Sequence, residues 1–255
     1  MSALGWIIVA SLAGGVISAG AAAFALVLRR AWIPTLVSFA IGALLGASFL
    51  EVIPHAFENG EAHTVAASIL GGILGFFLLE KLLLWRHSHD EHEVADAPAH
   101  GHDHGRSGAL IVVGDTIHNF LDGILIAAAF LQSTQLGIVA ALAIVAHEIP
   151  QEVGDFLILL NSGYSKTKAF VLNMLSSCAT LVGGVLGYYA LQVLEGWTPV
   201  LLGIVAASMI YVAVADLIPG LHRRPELRAT LSQSVLIALG IGLIAVVRAL
   251  LGDLH

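Results

Sequence analysis

The sequence predicts an all-α polytopic membrane protein. Its expected architecture is a single domain over residues 1–255, with eight transmembrane helices in an inverted 3+2+3 arrangement. Three observations lead there: the composition, the segmentation of the apolar residues, and the placement of the basic ones. Of 255 residues, 58% are hydrophobic and 11% charged, and the mean hydropathy is +0.90. A soluble domain carries about 25% charge, and a water-soluble globule of this size could not hide so much apolar surface. A soluble enzyme, a nucleic-acid binder and a disordered chain are therefore excluded. The lipid bilayer is the expected surroundings, with no nucleic acid among the partners. Eight spans of about 22 residues would use some 176 positions and leave only short loops.

The apolar runs place the spans at about 4–28, 33–57, 63–85, 108–131, 135–160, 167–192, 198–220 and 231–251. No basic n-region precedes the first run; Arg29 and Arg30 follow it. That is the reverse of a cleaved signal peptide, so the first run reads as a retained helix. The lone cysteine, Cys178, lies in an apolar stretch and rules out an intrachain disulfide.

Lys and Arg then set the orientation. The 1/2 break holds Arg29 and Arg30; the 3/4 break and its flanks hold Lys81, Arg86 and Arg106. The 5/6 break holds Lys166 and Lys168, and the 7/8 break holds Arg223, Arg224 and Arg228. The 2/3, 4/5 and 6/7 breaks hold none, and only Arg248 falls on the other side. Basic residues stay cytoplasmic, so both termini are expected outside a cell (inner) membrane. Spans 2 and 7 end alike, Glu51-Val-Ile-Pro54 and Asp216-Leu-Ile-Pro219, and spans 1 and 6 share Gly-Gly-Val at 14–16 and 183–185. Three spans, then two, then three makes repeats of opposite orientation, an arrangement used by transporters. GxxxG spacings at Gly42/Gly46, Gly71/Gly75 and Gly183/Gly187 allow close helix packing.

Charged residues inside spans are expensive, and here they concentrate in spans 4 and 5. Span 4 reads Asp115-Thr-Ile-His118-Asn119-Phe-Leu-Asp122-Gly123; span 5 reads His147-Glu148-Ile-Pro150-Gln151-Glu152-Val-Gly-Asp155. Four-residue spacing pairs His118 with Asp122, His147 with Gln151, and Glu148 with Glu152 on common faces. Depth sharpens the argument. His118 and His147 stand almost equally far from the tight 4/5 break. At a rise of about 1.5 Å per residue, both lie about 18–20 Å from one membrane face. Adjacent antiparallel helices must bring these groups together near the bilayer centre. Imidazole nitrogens and carboxylate oxygens suit Zn2+ and tolerate iron or manganese, and a bound cation offsets the cost of buried carboxylates. Pro150 takes away the helical partner of the Ala146 carbonyl, so a kink is expected beside His147. Asp115, nearer the cytoplasmic end, reads as a helix-end residue.

HNFLDG in span 4 and HEIPQEVGDF in span 5 resemble the signatures of the ZIP family of divalent metal transporters, most closely the branch whose helix 5 reads HEIPHE. The resemblance covers nearly the whole chain. It implies a mid-membrane metal site, often binuclear. Carried over position by position, His118, Asp122, His147 and Gln151 form the main site, and Asn119 and Glu148, sharing Asp122 and Gln151, form the second. Gln151 departs from HEIPHE, where a His is expected. Span 6 offers only Asn173, Ser176 and Ser177 in place of a bridging acid. Both departures weaken the second site. The resemblance also implies a homodimer and an elevator-like carrier, in which spans 1, 4, 5 and 6 slide against spans 2, 3, 7 and 8. The cargo is Zn2+, with Cd2+, Fe2+ and Mn2+ as further candidates, moved into the cytoplasm.

Other polar positions are read as pathway groups. Glu51 and His55 stand toward the outer end of span 2. Glu152 and Asp155 on span 5, Asn173 and Ser177 on span 6, and Asp216 with His222 on span 7 complete the set. Residues 87–105 form a His-rich cytoplasmic loop in which His87, His89, His92, His100, His102 and His104 would capture metal loosely. Two rival functions share these residues. An intramembrane zinc metalloprotease would need HExxH, but the second position is Gln151 and Pro150 interrupts the turn, so the protein is not expected to be an enzyme. A metal-selective channel could use the same ligands.

Overall fold

A computed structural model describes residues 1–24, 32–92, 106–222 and 226–252. All regular structure among them is helical, and eight helical stretches are long and apolar enough to cross a membrane. Span 1 is Ala3–Phe24, span 3 Ala62–His92, span 4 Arg106–Gln132, span 5 Thr134–Asn161, span 6 Lys166–Leu191 and span 8 Leu227–Gly252. Spans 2 and 7 are composite. Span 2 joins Ile33–Ala47 to Ile53–Asn59 through a π-helical segment, Ser48–Val52. Span 7 joins Thr198–Tyr211 to Ile218–Leu221 through another, Val212–Leu217.

The two π segments have one cause. Pro54 and Pro219 lack the N–H that would bond the carbonyl four residues back. The helix widens instead: the Ile53 N–H reaches the Ser48 carbonyl, and the Ile218 N–H reaches the Ala213 carbonyl. The EVIP and DLIP signatures thus carry the same local defect. Span 5 behaves differently, because it runs as one α-helix through Pro150.

Turns are short and capped where the chain must reverse. Between spans 4 and 5, Ser133 alone separates the helices, and its Oγ accepts the Leu136 N–H at 3.0 Å. Ser165 caps span 6 by accepting the Lys168 N–H at 3.2 Å. Gly163 before it adopts φ 87°, a left-handed conformation that favours glycine. Span 3 continues past its expected end near 85. It carries His87, His89 and His92 into the last helical turns instead of a loop, while His100, His102 and His104 lie outside the described residues.

The spans sort into two groups by packing. Spans 1, 4, 5 and 6 pack on one another; span 2 packs on span 8, and span 3 on span 7. The two groups meet chiefly where span 5 lies against span 2. Small residues make the tightest approaches. A Cβ on Gly123 would lie 2.0 Å from the Thr180 carbonyl oxygen, and one on Gly183 would lie 2.0 Å from that of Phe120. Gly42 and Gly46 meet span 8 at Ile237, Ile241 and Ile244 in the same manner, whereas a Cβ on Gly71 or Gly75 would meet nothing within 4 Å among the described residues. Two of the three GxxxG spacings are therefore helix contacts in this chain.

Candidate metal centre

Close packing of span 4 on span 6, together with the one-residue break to span 5, sets the site. His118 and Asp122 are presented from span 4 and His147 and Glu148 from span 5. His118 Nε2 and His147 Nε2 lie 3.1 Å apart, with ring planes at 90°. Asp122 Oδ2 stands 3.2 Å from His147 Nε2 and 3.6 Å from His118 Nε2. Glu148 Oε1 stands 3.8 Å from each of those nitrogens. All four ligand atoms fall within 4.8 Å of one another.

These separations have a simple meaning. Ligands bound tetrahedrally to zinc at 2.0–2.1 Å lie roughly 3.3–3.4 Å apart along the edges of the tetrahedron. The distances here bracket that value. The environment agrees, since His147, Asp122 and Glu148 are buried and His118 is about one quarter exposed, at 24%. Among the described residues, Asp122 Oδ2 and Glu148 Oε1 are buried without a hydrogen-bond partner. Orphaned carboxylate oxygens aimed at two imidazole nitrogens are costly unless a cation joins them. His147 Nδ1 stands 3.4 Å from the Ala143 carbonyl. A proton held there leaves the Nε2 lone pair for a metal.

Asn119 and Gln151 are placed differently from this quartet. The Asn119 amide donates to Asp115 Oδ1 at 3.0 Å and to the Asp115 carbonyl at 3.1 Å, while its Oδ1 accepts from Thr180 Oγ1 at 2.8 Å. Gln151 donates to the same Asp115 oxygen at 3.3 Å. Asp115 is thus no helix-end residue: it is 5% exposed and ties spans 4 and 5 together. Depth along the span does not reveal this role of Asp115. Its i,i+4 relation to Asn119 and its place on the stripe with His118 and Asp122 were the available signal.

A cavity of about 450 Å³ begins at His118 and Asp122 and is lined further by Asp115, Gln151, Asp155 and Asp216. Its other walls, among them Val37, Leu79 and Ile111, belong to the span ends beside the basic breaks, so it runs from the site toward that face. Toward the opposite face, Ile126, Phe130, Val139, Ala143 and Ile144 are buried in the apolar core. Glu152 lies off this cavity. It is fully buried, its Oε1 accepts from Ser177 Oγ, and its backbone carbonyl accepts the Asn173 amide at 3.3 Å. His222 is exposed at the end of span 7.

At the far face, Glu51 accepts from Gln135 Nε2 at 2.9 Å and pairs with Arg248 at 3.1 Å. His55 and Glu58, 3.9 Å apart, line a second cavity of about 290 Å³ with them. The ends of spans 2 and 8 and the start of span 5 thus share one face, as eight alternating spans require.

Eight spans around a largely buried cluster of two imidazoles and two carboxylates describe a multi-span membrane protein whose interior is compatible with a divalent cation. The chain belongs to the ZIP zinc transporter family, which it matches over residues 1–109 and 86–248. That is a family of transporters and not of enzymes, which removes the metalloprotease reading. Among its relatives is the zinc transporter ZIP13 of Pongo abelii, 32% identical over 231 residues, covering 83% of this chain and 66% of the relative. The zinc transporter YKE4 of Saccharomyces cerevisiae is 30% identical over 211 residues, covering 72% and 60%. The human zinc transporter ZIP10 is 35% identical over 180 residues, covering 66% of this chain and 22% of the relative. The chain therefore spans at most about two thirds of each of these three proteins.

Proposed function

We propose that this protein carries Zn2+ across a cell membrane into the cytoplasm, and that its ion-binding groups are His118, Asp122, His147 and Glu148, with Gln151 at the cavity edge. The observation that carries this reading is the convergence of four ligand atoms from two spans, two of them orphaned carboxylate oxygens. Cd2+, Fe2+ and Mn2+ suit the same donors. Asn119 is engaged by Asp115 and Thr180, and span 6 supplies no acid at this depth, which supports one transported ion beside a poorly occupied second site.

The carrier mechanism is an elevator-like alternation. Its support is the division into spans 1, 4, 5, 6 and spans 2, 3, 7, 8, together with a cavity that reaches the site from the side of the basic breaks. The matched π segments before Pro54 and Pro219 favour the inverted 3+2+3 relation. With basic breaks inside and both termini outside, the cavity is the cytoplasmic exit, lined by Asp155 and Asp216. Glu51 and His55 guard the entrance. The His-rich segment would capture or sense ions at the exit, and the working unit would be a homodimer.

Purified protein in proteoliposomes tests this. Saturable, slow uptake of zinc, with cadmium, iron and manganese compared with and without a pH gradient, is the expected result. His118→Ala and His147→Ala should abolish it while remaining folded. Normal flux in both variants removes the site assignment, and fast unsaturable flux turns the carrier into a channel. Deleting residues 88–104 should preserve uptake and alter its regulation.

A further inference from the structure

A glutamine amide is an ambivalent neighbour for a cation. Its carbonyl oxygen is a ligand; its NH2 group is a donor that a cation repels. The two ends have almost the same shape, so something else must decide which one faces the ion. In this protein Asp115 is positioned to decide. Its Oδ1 accepts the Gln151 amide at 3.3 Å and the Asn119 amide at 3.0 Å. Because a carboxylate oxygen only accepts, the group turned toward it must be NH2 in both cases. Asp115 is itself 5% exposed, so water does not compete for that oxygen. It is also held in place, because Asn119 donates a second time to the Asp115 backbone carbonyl and is anchored to Thr180 of span 6. With its NH2 taken, Gln151 has its Oε1 end left for the cavity it lines beside His118 and Asp122.

We infer that Asp115 is the positioning residue that makes Gln151 a metal ligand, by holding the amide nitrogen away and presenting the carbonyl oxygen to the ion. This rests on the transport site proposed above. It also gives a physical account of how a glutamine can stand where a histidine is expected. An imidazole meets an ion through one ring nitrogen and keeps its proton on the other, two positions on opposite sides of the ring, whereas an unanchored amide would spend part of its time turned the wrong way.

The test is a mutant cycle in the full-length protein, read as zinc KM and turnover in proteoliposomes and as zinc affinity by titration calorimetry. Asp115→Ala should weaken zinc binding and raise KM by about 10- to 100-fold, the usual effect of removing a partner that orients a metal ligand. Turnover at saturating zinc should change far less. Asp115→Asn retains an acceptor oxygen and should recover most of the affinity. In a Gln151→Ala background, losing Asp115 should cost nothing further, because the two residues act as one unit. An undiminished loss from Asp115→Ala in that background would overturn the proposal, since Asp115 would then act elsewhere. So would Gln151→Ala with unchanged zinc affinity. Failure of the site itself reads differently, as intact zinc affinity in His118→Ala. If Asp115→Ala does not yield monodisperse protein, Asp115→Leu, which fills the space without an acceptor, decides in the same way.

Discussion

Gly123→Ala offers a test of how tightly backbone packing controls the metal site. A methyl group on Gly123 would sit 2.0 Å from the Thr180 carbonyl oxygen and 2.6 Å from the Gly184 nitrogen. Carbon and carbonyl oxygen normally approach to about 3.3 Å, so spans 4 and 6 must part by more than ~1 Å or distort. Neither obstacle is a side chain that could turn aside. Overpacking of this kind costs about 1–3 kcal/mol. Asp122 is adjacent in sequence and His118 lies just over one turn away, so both move with span 4 while His147 and Glu148 stay on span 5. A ligand set tolerates about 0.5 Å of misplacement, and zinc affinity should fall by about tenfold or more, equivalent to about 1.4 kcal/mol. Gly71→Ala is the control. An added Cβ there meets nothing within 4 Å among the described residues, and alanine is favoured over glycine in a helix by about 1 kcal/mol. The assay is thermal unfolding in detergent alongside zinc uptake. Should Gly123→Ala match Gly71→Ala in both melting temperature and zinc KM, the reasoning from helix contact to site geometry is refuted.

Other outcomes follow from the same contacts. Gln151→His exchanges an amide oxygen for a stronger zinc ligand; zinc KM should drop and turnover slow, because an ion held too tightly leaves late, and vesicle flux measures both. Ser177→Ala strips a hydrogen bond from Glu152, which is fully buried with its other oxygen unpartnered among the described residues. Stability should fall by about 1–3 kcal/mol with zinc KM unchanged, and a KM shift as large as that of a site variant would place Glu152 in the site. Arg248→Ala removes the cation facing Glu51; since Arg248 is half exposed, the cost should be about 1 kcal/mol, seen as a small drop in melting temperature.

Sequence by itself determined the eight spans, because a bilayer accepts only long apolar helices and each therefore declares itself in composition. It also determined which side chains carry the chemistry. Ionisable groups are rare in lipid, and depth along antiparallel helices predicts that His118 and His147 meet; the structure brings them to 3.1 Å. Tertiary structure alone decided which neighbour each polar atom chose. Glu148 and Glu152 share a helix face by spacing, yet Glu148 joins the metal cluster while Glu152 turns to Ser177. Gln151 and Asn119 reach Asp115, and Glu51 meets Gln135 and Arg248 from distant parts of the chain. Periodicity fixes the direction a residue faces to within a turn, but a hydrogen bond is settled within a few tenths of an ångström. That precision comes from helices packed glycine to backbone, as at Gly123 and Gly183, and no single segment contains it.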